Sequence, residues 1–289
     1  MHSRSHQPLE RATPVFGSLA SVCAQGCDRR SIALAVSAAF DALRHVHSLM
    51  SFHEPTSELS LLNREACARG VAVSRHTLSV LSRAQLVSEV SDGAFDPTIA
   101  PLAVAAGQLP RPPGAPDPDP EASWRDVRLD TRARTVSFAR PLWLDLGGIA
   151  KGYAVDLAVT VLRRCGVTQG SVNAGGDLRA FGPCSEVVLV DHGRGRDPPD
   201  RAVRLQNASL AGSGGAADNQ LAGHFDGRTR RAAPASFAVV MARRCVYADA
   251  LTKVVLAGDL SAHAALRRFG ARAAVYAPGR GWRVIGGPA

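Results

Sequence analysis

The chain has 289 residues, of which 46% are hydrophobic and 20% are charged. This balance is ordinary for a globular enzyme with a large buried core. Arginine carries most of the formal charge of +9, because Lys151 and Lys253 are the only lysines. The arginines are scattered and aromatic residues make up only 5%, which argues against a nucleic-acid-binding surface. The longest apolar runs are too short for a membrane-spanning helix.

Residues 1–14 are predicted to be a polar leader. The leader lacks the apolar core of a signal peptide, so we expect a cytoplasmic protein. Residues 15–289 are expected to form a single domain. The six cysteines include no CxxC pair, so neither a disulfide frame nor a zinc site is predicted.

The first half of the chain is predicted to be mainly helical. A short strand is expected over Val15–Val22, followed by a helix over Asp28–Met50, where apolar residues recur at three- and four-residue spacing. The polar stretch Ser51–Asn63 is expected to be a loop. A second helix is predicted over Ser74–Ser91, with Ser74 as its N-cap.

The second half mixes strands and helices around one proline-rich surface loop at 110–120. Because strands and helices do not alternate strictly, the pattern favours an α+β fold over a doubly wound sheet. The predicted strands are Val127–Leu129, Thr135–Phe138, Leu142–Leu146, Ser171–Asn173, Leu178–Phe181, Val187–Val190, Val203–Leu205, Ser236–Met241, Ala273–Tyr276 and Trp282–Ile285. The predicted helices are Ala150–Cys165, Tyr247–Ala257 and Ser261–Phe269.

The segment Asp145–Asp156 (DLGGIAKGYAVD) carries the strongest chemical indication. A strand is predicted to lead into two glycines, which let the backbone approach a ligand, and a helix N-terminus then favours a phosphate group. Lys151 adds a positive charge, and Asp145 can accept hydrogen bonds from a ribose or a base. The segment matches neither GxGxxG nor GxxxxGK[ST]. Taken alone, it fits a plain strand-to-helix connection equally well.

Two other turns stand out. Asn173–Asp177 (NAGGD) combines two glycines with flanking polar residues, and Gly93–Pro101 (GAFDPTIAP) places Asp96 just before a proline. Taken alone, the first fits a hairpin and the second a capped turn.

The ordered segments MSFHEPTSELSLLN, GAFDPTIAPL, DLGGIAKGYAVD, VNAGGDLRAFG and YADALTK resemble the ApbE-type FAD:protein FMN transferases, from residue 50 to about 257. Those enzymes cleave FAD, release AMP and leave FMN esterified to a Ser or Thr of a target flavoprotein. The resemblance implies an ApbE-like (T-fold-like) α+β fold with mixed or antiparallel sheets, packed helices and two interlocked lobes. It also implies FAD as substrate, Mg²⁺ as cofactor and an acceptor flavoprotein as partner.

The same resemblance implies roles for individual residues. The flavin dinucleotide would be contacted by Ala94, Phe95, Asp96, Asp145 and Lys151. The Mg²⁺ ion would be held by Gly148, Asp249 and Thr252, with Asp249 as the catalytic carboxylate. No internal Ser-His-Asp set is required, because the acceptor protein brings the nucleophile.

The chain departs from the family pattern at Lys253, where a metal-binding Thr is usual. A shift of one residue rotates a helical side chain by about 100°, so Thr252 does not simply take that place. The Lys253 ammonium would either occupy the cation position or point away. His53 stands where the family often has Tyr, and His224–Thr229 only loosely matches HxxDPxTG. Two alternatives stay open: a non-catalytic FAD-binding or flavin-delivery protein with a degenerate metal site, and an FAD pyrophosphatase that yields FMN and AMP.

Overall fold

The computed structural model describes residues 8–26, 28–190, 201–214, 224–233, 237–258, 260–277 and 279–286. Among these residues, no helix is long and apolar enough to cross a membrane. The described α-helices are α1 (Arg29–Met50), α2 (Glu58–Glu65), α3 (Arg75–Val90), α4 (Ala100–Ala105), α5 (Ala150–Arg164), α6 (Cys245–Ala257) and α7 (Leu260–Arg268).

Fifteen strands are described, and every pairing between them is antiparallel. They are β1 (Leu9–Val15), β2 (Ser18–Gln25), β3 (Val71–Ala72), β4 (Val127–Asp130), β5 (Thr135–Phe138), β6 (Gln169–Ala174), β7 (Asp177–Phe181), β8 (Glu186–Val190), β9 (Arg201–Leu205), β10 (Ser209–Gly214), β11 (Phe225–Asp226), β12 (Arg231–Ala232), β13 (Phe237–Ala242), β14 (Arg272–Ala277) and β15 (Gly281–Ile285).

Eight strands form the main sheet in the order β1-β2-β6-β7-β10-β13-β14-β15. Helices α1, α5 and α6 pack together on it: α1 contacts β1 and β2, α5 contacts β6 and β7, and α6 contacts β10 and β13. A second, smaller hydrophobic cluster includes Leu178 and Leu210 from the sheet and Val190 and Leu205 from the β8–β9 hairpin. The α+β fold with antiparallel sheets is therefore confirmed.

Alternation along β7 decides which residues meet the helices. Leu178 and Ala180 belong to the smaller cluster, so the alternate residues Asp177, Arg179 and Phe181 face the other way. There Asp177 meets Lys151, Arg179 meets Asp156 and Phe181 lies under Arg163, three contacts with helix α5. A functional carboxylate is thereby placed beside the N-terminus of α5.

The N-terminal predictions need correction. The strand expected over Val15–Val22 is a hairpin whose turn, Phe16-Gly17, has positive φ at both residues (58° and 70°), the geometry that tight hairpins favour. Strand β1 starts at Leu9, so the leader predicted over residues 1–14 is ordered from there on.

The loop predicted over Ser51–Asn63 is correct for residues 51–57 but not beyond them, because helix α2 begins at Glu58. Ser57 caps α2 by accepting a hydrogen bond from the Ser60 N–H at 3.0 Å, and Leu59 and Leu62 are fully buried. The helices predicted from Asp28 and Ser74 are confirmed, and both residues act as N-caps. Residues 110–120 contain no helix or strand.

Strand β10 was not predicted, although it lies inside the main sheet between β7 and β13. The other predicted C-terminal elements agree with the structure to within about two residues, apart from Ser236 and Pro278, which lie outside the described residues. The helix predicted over Ala150–Cys165 runs to Arg164 with Cys165 as its C-cap, and Gly166 follows with a positive φ of 83°.

Candidate active site

The segment that leads into the glycine turn is extended but is not a strand, contrary to the prediction for Leu142–Leu146. Its backbone groups bond to other partners. The Asn63 side chain accepts from the Leu144 N–H at 2.7 Å and donates to the Leu144 carbonyl at 3.1 Å. The Asp145 N–H donates to the Pro97 carbonyl at 2.8 Å. These bonds fix the position of Asp145 relative to the Gly93–Pro101 turn.

The Asp145 side chain stabilises the glycine turn that follows it. Its Oδ1 accepts from the Gly147 N–H at 2.8 Å. Burial raises the pKa of the Asp145 carboxyl, and that hydrogen bond and the Lys253 charge oppose the effect. One carboxylate oxygen therefore orders the turn, while the side chain lines the cavity described below.

Helix α5 begins at the end of this turn and packs closely on α6. Gly152 allows the approach, because a Cβ at that position would lie 2.3 Å from the Cys245 carbonyl oxygen and 2.8 Å from Asp249 Cβ. The Gly152 N–H donates to Asp249 Oδ2 at 3.1 Å. One free N–H of the helix N-terminus thus binds a carboxylate of the protein itself.

Asp249 is fully buried and forms an ion pair with Lys253 one turn later on α6. Lys253 Nζ lies 2.6 Å from Asp249 Oδ1, 3.2 Å from the Asp249 carbonyl oxygen and 3.1 Å from Ser213 Oγ. Burial would raise the pKa of Asp249, but the ammonium groups of Lys253 and Lys151 hold it below its ordinary value. Asp249 is therefore an ionised carboxylate with a permanent internal counter-ion.

A second acid–lysine pair lies beside the first. Lys151 Nζ is 3.4 Å from Asp177 Oδ2, and Asp177 is only 1% exposed. Burial and the nearby charge of Asp249 raise the pKa of Asp177 to about 7, against the opposing effect of Lys151 and Lys253. Two carboxylates and two ammonium groups thus share one buried region between β7, α5 and α6.

Lys151 and Lys253 line a cavity of about 500 Å³, a size suited to a small-molecule ligand. A neighbouring cavity of about 230 Å³ shares Leu109, Asp145, Gly147 and Lys151 with it. All five residues predicted to contact FAD line the larger cavity, as does Gly148, which was predicted to hold metal; Asp249 and Thr252 lie behind its wall. His53 lines the smaller cavity. Contacts of these residues with FAD stay a prediction.

The Gly93–Pro101 turn forms the opposite wall of the larger cavity. Phe95 is buried, and its Cε2 would lie 3.4 Å from a Cβ placed on Gly148. The Asp96 side chain accepts from the Thr98 N–H at 2.8 Å and from its hydroxyl at 2.7 Å, while burial raises the pKa of Asp96. Asp96 therefore stabilises its own turn.

The loosely matched segment His224–Thr229 also reaches this cavity. His224 and Phe225 line it, and burial together with the Lys253 charge lowers the pKa of His224 to about 4. His224 is therefore neutral at pH 7. Asp226 forms a salt bridge with Arg228, with Nη2 2.8 Å from Oδ2, which orders the turn that follows.

Residues 16–276 match the model of the ApbE family. The chain belongs to the ApbE family. A relative from Vibrio cholerae named FAD:protein FMN transferase is 33% identical over 147 residues, which cover 48% of this chain and 44% of the relative. A Haemophilus influenzae protein of the same name is 28% identical over 190 residues, 60% of this chain and 55% of the relative. The chain thus matches about half the length of these ApbE relatives.

The ApbE fold extends across nearly the whole chain. The crystal structure of the ApbE protein from Thermotoga maritima is 25% identical, with a TM-score of 0.81 over 96% of this chain and 97% of that one. The match supports the ApbE-like architecture inferred from the order of the motifs.

The ApbE resemblance implies Mg²⁺, but the three predicted metal residues do not fit that ion. Mg²⁺ requires several oxygen ligands in near-octahedral order. Asp249 Oδ1 and Oδ2 are bound to Lys253 and Gly152. The Thr252 hydroxyl lies 2.7 Å from the Asp249 carbonyl oxygen and 2.9 Å from Ser213 Oγ. Within the described part of the chain, no group of three or more His, Cys, Asp or Glu residues is arranged to hold a metal.

Three residues at this ApbE site were not predicted individually. Asp177 ends the NAGGD segment, but only the alternation along β7 shows that it faces Lys151. Ser213 lies on the strand that was missed, and His224 lies in the loosely matched segment. The order of the motifs could have indicated Asp177 and His224, whereas nothing in the sequence singles out Ser213.

Proposed function

We propose that this ApbE-family protein transfers FMN from FAD to a Ser or Thr hydroxyl of an acceptor flavoprotein and releases AMP. The observation that carries the proposal is the larger cavity, which Lys151 and Lys253 both line. Its walls come from segments that also carry the resemblance to the ApbE family. Its relatives named FAD:protein FMN transferase support this reaction over other uses of a flavin site.

The site residues suit chemistry on a pyrophosphate. In the reaction, the acceptor hydroxyl oxygen bonds to the FMN phosphorus, the bond from that phosphorus to the AMP oxygen breaks, and the hydroxyl proton leaves to solvent. Negative charge on the phosphoryl oxygens must be balanced throughout. Lys151 lines both cavities at the start of α5, three residues after Gly148 of the glycine turn. Burial would lower the pKa of Lys151, but Asp177 and Asp249 raise it, so the ammonium stays charged.

The remaining pocket residues would orient the substrate. Phe95 and Leu109 supply apolar surface for a ring system, and the half-buried Asp145 supplies an acceptor for ribose or base hydroxyl and amino groups. Neutral His224 can donate or accept a hydrogen bond without adding charge. The proposal includes the predicted cytoplasmic location, which fractionation of the host cell would test.

The test is incubation of the purified protein with FAD and candidate acceptor flavoproteins, each with its flavinylated Ser or Thr intact or replaced by Ala. AMP release and covalent attachment of FMN to the intact acceptor alone are the expected results. AMP and free FMN without an acceptor would identify a pyrophosphatase. Bound FAD without AMP release would identify a flavin-delivery protein, and absence of FAD binding would refute the proposal.

A further inference from the structure

Lys253 stands where the family pattern usually has a metal-binding threonine. Its ammonium pairs with Asp249, the carboxylate that was predicted to hold the metal. The Lys253 side chain is only 13% exposed, and Asp249 is fully buried. Its three acceptors, Asp249 Oδ1, the Asp249 carbonyl oxygen and Ser213 Oγ, match the three hydrogens of one ammonium group. Lys253 therefore does not point away from the site.

The glycine turn is shaped around this side chain. A Cβ on Gly148 would lie 3.1 Å from Lys253 Cε and 3.6 Å from its Cδ. The lysine stem thus fills the space between the turn and α6. This is also the space in which the Gly148 carbonyl and Asp249 would have to share an ion.

The buried acids near this position already have lysine partners without a metal. Asp177 and Asp249 face Lys151 and Lys253 in the same buried region. A divalent cation placed on Asp249 would bring two further positive charges within a few ångströms of a fixed ammonium. Like charges at such distances repel strongly where little water screens them. The ion would therefore have to displace Lys253.

We propose that Lys253 is a tethered cation that replaces the divalent metal of this site, so that FAD is bound and cleaved without Mg²⁺. The proposal rests on the proposed function. Lys253 acts through its charge, since its hydrogens are directed at protein acceptors, and it is the counter-ion of the buried Asp249. Lys151 then supplies the positive charge nearest to the substrate pyrophosphate.

The first experiment compares the wild-type protein in EDTA and in excess Mg²⁺. FAD affinity, followed by flavin fluorescence, and AMP release with an acceptor are expected to change less than about twofold, well under the tenfold that corresponds to 1.4 kcal/mol. Mg²⁺ is also expected to leave the melting temperature unchanged, because an ion that does not bind the native state cannot stabilise it. An absolute requirement for Mg²⁺ in FAD binding or turnover would overturn the proposal.

The second experiment uses variants at the same position. Lys253→Thr is expected to bind FAD at least about tenfold more weakly in EDTA and to recover with Mg²⁺, which should also raise its melting temperature. Lys253→Met removes the charge and offers no hard ligand, so Mg²⁺ should not rescue it. If Lys253→Thr had the same FAD affinity and melting temperature in EDTA and in Mg²⁺, the Lys253 ammonium would not occupy the cation position.

Folding and function are separated by a further variant. Lys253→Met leaves Asp249 buried without a partner, whereas Asp249→Asn/Lys253→Met removes both charges and should fold. Neither Mg²⁺ nor EDTA should affect FAD affinity in this double variant, and a clear Mg²⁺ effect would mean that another site holds the ion. If the wild-type protein neither binds FAD nor releases AMP with or without Mg²⁺, the proposed function fails. If it does so only with Mg²⁺, this inference alone fails.

Discussion

Gly152 is the residue through which the contact between α5 and α6 can be tested. A Cβ at this position would lie 2.3 Å from the Cys245 carbonyl oxygen and 2.8 Å from Asp249 Cβ, and the Cys245 carbonyl is backbone that cannot rotate away. Overpacking of this kind typically costs about 1–3 kcal/mol. Replacing Gly by Ala inside a helix returns about 1 kcal/mol through its better helix propensity. Because the 2.3 Å clash is with backbone, the cost should lie at the upper end of its range, and we expect Gly152→Ala to lower the free energy of unfolding by about 2 kcal/mol.

The assay is thermal unfolding together with FAD titration. A loss of about 2 kcal/mol should lower the melting temperature by about 3 °C, because the unfolding entropy of a 289-residue chain is about 0.6 kcal/mol/K. FAD affinity should also fall, because the Gly152 N–H that holds Asp249 Oδ2 moves with the helix. The matched control is Gly70→Ala, where an added Cβ meets Thr135 Cβ at an ordinary 3.8 Å. If Gly152→Ala melts at the same temperature as Gly70→Ala, the close packing described for α5 and α6 is wrong.

Three further variants test other parts of the site. Asp156 accepts from two N–H groups at the start of α6 and pairs with Arg179. Asp156→Ala should therefore lower the free energy of unfolding, measured in urea, by about 3 kcal/mol, and a loss below about 1 kcal/mol would refute this role. Lys151→Met should weaken FAD binding about tenfold or more, as measured by flavin fluorescence, since charged hydrogen bonds contribute about 1.5–3 kcal/mol; unchanged affinity would place the pyrophosphate elsewhere. Because the pKa of His224 is lowered to about 4 in the folded protein, the wild type should lose about 2–3 kcal/mol relative to His224→Gln as the pH falls from about 6.5 to 4. A pH-independent difference in unfolding free energy would contradict this burial.

Local patterns predicted the helices well, because their information lies within the elements themselves. The apolar spacing of α1 and the cap at Ser74 are visible in the sequence and are both found in the structure. Strand β10 was missed because Gly212 and Gly214 lack the side chains typical of strands. Both glycines face Phe237, whose ring would lie 3.0 Å or less from a Cβ at either position. Only the partner strand explains their presence.

The candidate site also combines features that are visible in the sequence with features that depend on packing. Segments such as Asp145–Asp156 predicted the glycine turn and Lys151, since both depend on neighbours in the sequence. The extended segment before the turn resembled a strand because it is apolar, but its backbone groups bond to Asn63 and Pro97 rather than to a neighbouring strand. The Asp177–Lys151 pair depends on which face of β7 meets α5, and that is settled only when the sheet and the helix pack together.

The choice of lysine at this site is itself informative. In a chain with 34 basic residues, the only two lysines both line the larger cavity. An arginine would place a wide planar fork between Asp249 and Ser213, whereas an ammonium is a compact charge with three donors. The acceptors at 2.6, 3.1 and 3.2 Å surround a single point. Lys253→Arg should therefore keep the positive charge but displace Ser213 or Gly148. We expect this variant to bind FAD more weakly than the wild-type protein. Full recovery with arginine would mean that charge alone matters here and that the three-acceptor geometry does not.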